Sequence, residues 1–406
     1  MEKLAIDGGK KAFDITNHPI PEWPPIYAET EQLLREVYRS RKWSFNGRYE
    51  QKFTELFAEY HNAKHCVFMV NGTMTLQAAL EALGVGSGDE VIVPAHTWIA
   101  TGIAPVYVGA TPVIVDIQPD TLCMDPAAFE AAITPRTKAV IPVHLYGSIA
   151  DMDEIFRIAA EHNIFVVEDS AHAHGAKWEK RGVGSLGDIG SFSFQQSKLM
   201  TSGEGGCCLT NSKELADRLY RIKHIGYPQA VGQGSKAVPP ETDLLCYNYR
   251  ATEFQAAILL GQLEHLQKDT AHREANAEYL RRRIDSLPGI RMQARGRKAT
   301  VQSFYTLVLT LKLEELHSGI DRQKIVEAMS AEGIRPGVGW SGGVPIFKQD
   351  LWNISPDKYR IASADVAWEN CGKRELVFPL HWLLADRAAV GAFADAVEKV
   401  MTAYAG

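Results

Sequence analysis

Between residues 64 and 210 the chain alternates short, nearly unbroken apolar runs with amphipathic stretches, a pattern that few folds can accommodate. The runs are CVFMV (66–70), EVIVP (90–94), TPVIVD (111–116), KAVIPVHLYG (138–147), NIFVVEDS (163–170), IGSFSF (189–194) and GGCCLT (205–210). They are rich in β-branched residues and continuous rather than alternating, as strands buried on both faces require. Between several of them lie helical patterns. Leu76, Ala79, Leu80 and Leu83 fall at i, i+3, i+4 and i+7, and DMDEIFRIAAEHN repeats that spacing. Strand–helix alternation predicts an α/β fold with a mainly parallel, seven-stranded sheet covered by helices.

The last third changes character. A helical pattern runs from 251 to 287 and stops at Pro288-Gly289, followed by a strand pattern (SFYTLVLTL) and two helical ones (DRQKIVEAMSAEG and DRAAVGAFADAVEKVM). This predicts a large domain over 26–265 and a smaller α+β domain over 266–406. Residues 1–25, rich in proline and polar residues, read as an arm outside the core.

A chain of 406 residues exceeds what one core holds, which agrees with two domains. The net charge of −6 is mild and spread along the sequence, so neither nucleic acid nor an anionic membrane is expected as a partner. The six cysteines include no CxxC pair, and no Cys/His group has zinc-ligand spacing. Buried reduced thiols and no metal site are therefore expected. With no signal-peptide pattern and no run long enough to span a bilayer, the expected location is the cytoplasm.

Four local features carry chemistry, and each also has a plain reading. Asn71-Gly72-Thr73 stands between a strand and a helix expected to begin near Met74; its N–H groups could cradle a phosphate, or Thr73 could simply cap the helix. Trp98, in His96-Thr97-Trp98, could face a flat ligand or be a half-buried core aromatic. Asp169 ends an apolar run, where open α/β sheets bind ligands, and could hold a protonated pyridine nitrogen or cap the next helix. His172 and His174 lack a third metal ligand, so a hydrogen bond from His172 to the same ring is the better reading.

Lys198 lies in an uncharged stretch and is the only cation between Arg181 and Lys213, as an imine-forming amine should be; alone, it is also an ordinary loop lysine. Gly203, Gly205 and Gly206 permit sharp turns after it. In this order the features supply what pyridoxal phosphate needs: anion binding, a stacking face, a partner for the ring nitrogen, and an amine.

The segments GSGDEVIVPAHTWIAT, TPRTKAVIPVHLYG, VVEDSAHAHGA, FSFQQSKLMTSGEGG and YNYRATEFQAAI occur in the order seen in the DegT/DnrJ/EryC1/StrS family of sugar aminotransferases, and the chain resembles that family over nearly its whole length. The resemblance implies the fold-type I, aspartate-aminotransferase-like architecture and pyridoxal 5'-phosphate as cofactor, cycling through pyridoxamine phosphate. It implies that Lys198 is the Schiff-base lysine and Asp169 the partner of the pyridine nitrogen. Trp98 matches the stacking aromatic, and Gly72, Thr73 and Ser193 match phosphate contacts. His172 stands where many members have Gln.

Asn248 matches a residue that reaches the cofactor phosphate of a neighbouring subunit, which implies a homodimer with shared active sites. The implied reaction moves an amine from glutamate or glutamine to a ketone of a sugar or cyclitol. Some relatives that replace the lysine with His act as dehydratases, so Lys198 favours transamination; a dehydratase or aromatising enzyme of the same family is the alternative. HTWIAT, SAHAHGA and FSFQQSKLMTSGEGG resemble the branch of scyllo-inosose aminotransferases and 3-amino-5-hydroxybenzoate synthase, in antibiotic-type secondary metabolism. YNYRATEFQ is closer to the nucleotide-sugar branch, which leaves the ketone open. Arg335, Trp340 and His381 could line the substrate mouth, but surface or packing roles are the better reading.

Overall fold

All seven apolar runs contribute strands to one sheet. The computed structural model describes residues 2–229, 234, 244–339 and 343–406. The first strands are β1 (His65–Met69), β2 (Glu90–Pro94), β3 (Thr111–Val115), β4 (Thr137–Val140) and β5 (Phe165–Asp169). A small hairpin, β6 (Lys177–Trp178) and β7 (Arg181–Gly182), leads to β8 (Ile189–Ser193) and β9 (Gly206–Thr210). Across the sheet the order is β1-β9-β8-β5-β4-β2-β3. The five strands from β8 to β3 are parallel, and β9 runs against both of its neighbours. Every residue of β2, β8 and β9 is buried, the reason these runs show no polar alternation.

The run at 138–147 is a strand only to Val140. Ile141 still donates to the Ile92 carbonyl, but Pro142 has no N–H to offer a ladder, and the backbone pairs with β5 again at the isolated Val143–Asp169 bridge.

Helices α1 (Ala28–Ser40) and α2 (Arg48–Tyr60) precede the sheet, and α3 (Gly72–Ala82), α4 (Ile99–Tyr107), α5 (Pro126–Ala132) and α6 (Met152–His162) follow successive strands. After β9 come α7 (Lys213–Lys223) and the long α8 (Glu253–Ile284), which starts in a capping box between Thr252 and Gln255. Helix α8 is 32 residues long and links two apolar clusters. Ala256 and Leu260 pack among the phenylalanines Phe53, Phe57 and Phe194, whereas Ala277, Leu280 and Ile284 pack in the C-terminal core.

That C-terminal core covers the antiparallel sheet β10 (Ile290–Met292), β12 (Thr306–Leu311) and β14 (Glu375–Pro379), with α9 (Arg322–Glu332) and α11 (Arg387–Tyr404) against it. Strand β11 (Ala299–Val301) instead pairs with β6. A two-residue strand, β13 (Arg360–Ile361), followed by α10 (Asp365–Glu369), reaches back and pairs with β3, so the large sheet has an eighth strand.

The N-terminal arm does not stay wholly outside the core. Leu4 and Phe13 are buried in the C-terminal cluster, because the carboxylate of Glu332 accepts from the N–H groups of Ala5 (2.7 Å) and Ala12 (2.9 Å) and Phe13 N–H bonds the Glu332 carbonyl (2.9 Å). All six cysteines are free; Cys123, Cys207, Cys208 and Cys371 are buried, while Cys66 and Cys246 are only half-buried. Among the described residues no helix is long and apolar enough to cross a membrane.

Candidate active site

The carboxyl ends of the parallel strands open into a cavity of about 440 Å³. Its wall includes Gly72, Thr73, Trp98, Asp169, His172, Ser193 and Lys198, so seven residues named from the sequence meet there. Asn248 does not. It is exposed and forms a bridge with His224 away from this cavity. Of the other three residues, Arg335 is exposed, His381 is half-buried, and Trp340 lies outside the described residues.

One side of the cavity is the start of α3. The helix begins at Gly72 rather than near Met74, because Asn71, not Thr73, is the cap: its side-chain oxygen accepts from Met74 N–H at 2.9 Å. Thr75 N–H bonds the Asn71 carbonyl, so Gly72 and Thr73 carry first-turn N–H groups that an α-helix cannot satisfy internally. The helix start lies flat on the end of β8: a Cβ on Gly72 would stand 2.6 Å from Ser193 Cβ. Only glycine permits that approach, which puts the Ser193 hydroxyl and the helix N-terminus side by side.

Asp169 ends β5 and is 6% exposed. No helix follows it, so it caps none; Oδ1 instead accepts from Ala171 N–H at 3.2 Å. Oδ2 accepts from the Thr101 hydroxyl at 2.7 Å, and Thr101 is in turn 2.8 Å from the Thr97 hydroxyl. Burial raises the Asp169 pKa, and the Thr101 bond, the Ala171 N–H and the charge of Lys198 work against that rise.

Its neighbour Glu168 points the other way. Burial would raise its pKa, but bonds from His144 (3.1 Å) and from the N–H groups of Gly184, Leu186 and Gly187 (2.8 Å each) lower it overall. Adjacent carboxylates thus divide the work: Glu168 ties loops together and Asp169 faces the cavity.

Lys198 lies beyond the end of β8, in the loop leading to β9, and is 9% exposed. Burial brings its pKa down to about 8, opposed by the Asp169 charge. Roughly a tenth of such an amine is neutral at pH 7, enough for a nucleophile. Its Nζ sits 4.8 Å from the centroid of the Tyr305 ring, a residue of the C-terminal part that sequence reading missed. Tyr305 OH is 2.9 Å from Ser197 Oγ, and burial pushes its pKa up to about 12.

His172 stacks on Tyr305 with centroids 4.2 Å apart and planes 19° from parallel. Its Nδ1 accepts from Tyr146 N–H at 3.3 Å, and burial, aided by the Lys198 charge, holds its pKa well below the ordinary value. This ring is neutral and fixed. His174 packs against Phe192 and Phe194, so the HxH pair shares no ligand point. Trp98, the residue before α4, is 40% exposed at the cavity wall.

Pyridoxal phosphate needs an anion cradle, a flat wall, an acid for its ring nitrogen and a deprotonable amine. The residues present fit all four, and the close approach of Gly72 to Ser193 is the feature that a side chain would destroy. A mainly parallel sheet carrying a buried lysine beyond its strand ends, with a smaller antiparallel sheet behind, is the architecture of the fold-type I pyridoxal-phosphate-dependent aminotransferases. The model of the DegT/DnrJ/EryC1/StrS aminotransferase family matches residues 24–392, and the chain belongs to that family.

The chain is 42% identical over 339 residues to an L-glutamine:2-deoxy-scyllo-inosose aminotransferase of Streptomyces kanamyceticus, covering 81% of this chain and 78% of that one. Among solved structures it resembles 3-amino-5-hydroxybenzoic acid synthase, with a TM-score of 0.82 and 29% identity over 95% of this chain and 100% of the other. It also resembles a GDP-4-keto-6-deoxymannose-3-dehydratase with a trapped PLP-glutamate geminal diamine (TM-score 0.80, 25% identity, 95% of this chain and 100% of the other).

Proposed function

We propose that this aminotransferase takes the amine of glutamine and delivers it to a ketone of a cyclitol, with 2-deoxy-scyllo-inosose as the first acceptor to test. The observation that carries the chemistry is the buried Lys198, its pKa brought down to about 8, in one cavity with Asp169. The similarity to the Streptomyces kanamyceticus enzyme supports the choice of donor and acceptor.

Pyridoxal phosphate, when bound, supplies an electron sink and carries the amine as pyridoxamine phosphate between two half-reactions. The N–H groups of Gly72 and Thr73 and the Ser193 hydroxyl would hold its phosphate, and Trp98 would cover the ring. Asp169 would hold the pyridine nitrogen in its protonated form, and Thr101 keeps that carboxylate oriented through its 2.7 Å bond. Lys198 would anchor the cofactor and then move a proton at the reacting substrate carbon. His172, neutral and stacked on Tyr305, would set the position of the ring without adding charge. Donor and acceptor would enter the same cavity in turn.

Asn248, exposed and away from its own chain's cavity, would reach the cofactor phosphate of a second copy, giving a cytoplasmic homodimer with shared sites. The acceptor chemistry points to secondary metabolism of the antibiotic type.

The test is product formation from glutamine with a panel of ketones: 2-deoxy-scyllo-inosose, scyllo-inosose and nucleotide-linked ketosugars. Amination of a cyclitol, lost in Lys198→Ala, is the expected result. A preference for a nucleotide-linked sugar would overturn the acceptor, and amination that survives in Lys198→Ala would overturn the site.

A further inference from the structure

Three side chains from segments far apart in sequence meet inside the molecule, outside the cofactor cavity. His96 follows β2, Cys371 lies in the π-helical turn Asn370–Arg374, and Glu375 opens β14. Each offers one ligand atom, and the three atoms all lie within 4.8 Å of one another. The His96 and Glu375 side chains are 2% and 0% exposed, and Cys371 is fully buried. His96 Nε2 is 3.0 Å from Glu375 Oε2, and both Glu375 and Cys371 interact directly with the His96 ring. Three buried donor atoms of different chemistry, brought from distant segments to one point, form a ready coordination set.

We propose that these side chains bind one zinc ion through His96 Nε2, the Cys371 sulfur and one Glu375 oxygen. Nitrogen, sulfur and carboxylate oxygen are the donors zinc uses. Around a tetrahedral ion with bonds of about 2.0–2.3 Å, donor atoms sit about 3.3–3.6 Å apart, so the trio needs only a small adjustment to reach a shared ion. A thiolate and a carboxylate together neutralise its two charges. Arg322 donates from Nη1 to the Cys371 carbonyl at 2.6 Å, which holds the turn that carries the sulfur. The Tyr146 ring packs edge-on against His96, with centroids 5.8 Å apart, and fixes its plane. Three protein ligands leave the fourth position to water.

The ion would pin the loop carrying Thr97 and Trp98 to the C-terminal sheet. Two bonds already tie that loop to a turn that precedes the C-terminal strand, from Ile346 N–H to the Ala95 carbonyl (2.9 Å) and from Gln349 Nε2 to the Thr97 carbonyl (3.3 Å). Neither the family nor the amino-transfer reaction calls for this ion.

The test uses the purified enzyme, stripped with a chelator and reloaded with zinc alone or cobalt alone. One zinc per chain should survive desalting, and the cobalt form should show a thiolate-to-metal band in the near ultraviolet. Cys371→Ser should abolish the band, while Cys246→Ser keeps it. Glu375→Gln, which preserves the cysteine and the side-chain shape, should weaken zinc uptake roughly tenfold or more. Failure of the unmutated enzyme to take up zinc, or a cobalt band that survives Cys371→Ser, overturns the site.

Discussion

The buried amine is the most consequential single group in the molecule. A lysine has an ordinary pKa of 10.5, and burial takes Lys198 to about 8. Covalent capture of added pyridoxal phosphate by the cofactor-free protein, trapped with borohydride, should rise with pH along a curve centred near 8. A midpoint near 10 would show that the amine is not desolvated. The same shift has a stability consequence. Between pH 8 and 10.5 the unfolded chain binds more protons at this lysine than the folded one, so the cost of burying its charge is relieved as pH rises through that window.

Thr101 is the next most informative residue. Thr101→Val removes the donor to Asp169, and losing one bond to a charged group should lower kcat about tenfold with little change in KM for glutamine. Steady-state kinetics separate the two constants, and an unchanged kcat would remove Thr101 from the site. Lys198, Asp169 and the Gly72-Thr73 pair could be singled out in the sequence only together: each alone has a plain reading, but their order and their positions at strand ends point to one place, and the cavity brings them together. Thr101, Tyr305 and the Cys371–Glu375 pair carry no such sign. Their meaning arises from neighbours tens to hundreds of residues away, and no spacing rule relates Tyr305 to Lys198.

At the level of elements, the strands could be read closely because burial on both faces leaves unbroken apolar runs. EVIVP became β2 without a shift of boundary. The misjudged places have physical causes: Pro142 ends β4 early, and β13 is too short to show a pattern. The packing of α3 on β8 provides a direct test. Gly72→Ala would place a methyl 2.6 Å from Ser193 Cβ, an overlap worth about 1–3 kcal/mol of stability, and it should weaken pyridoxal phosphate binding as well. Urea unfolding and cofactor titration read the two effects. Adding Ser193→Gly should restore part of the stability without restoring affinity, since it removes both the crowding and a phosphate donor. A double variant with full affinity would show that Ser193 does not contact the phosphate.

On the scale of the whole molecule, two cores are joined by α8, and the C-terminal one closes on the start of the chain. Glu332 is the tie. It is fully buried, accepts from Ala5 and Ala12, and pairs with Lys399 at 2.9 Å. Glu332→Ala leaves that ammonium with the Lys10 carbonyl but no carboxylate, and two N–H groups without their acceptor, and should cost about 3–5 kcal/mol. Its urea midpoint should fall well below that of the surface control Glu31→Ala, which breaks only the exposed pair with Arg35. The same tie imposes an order on folding. Leu4 and Phe13 leave the ribosome well before β12, α9 and α11, which share their core. Until those elements have been made these two apolar side chains have no core to enter, so the N-terminal segment completes its packing only once α11 is available.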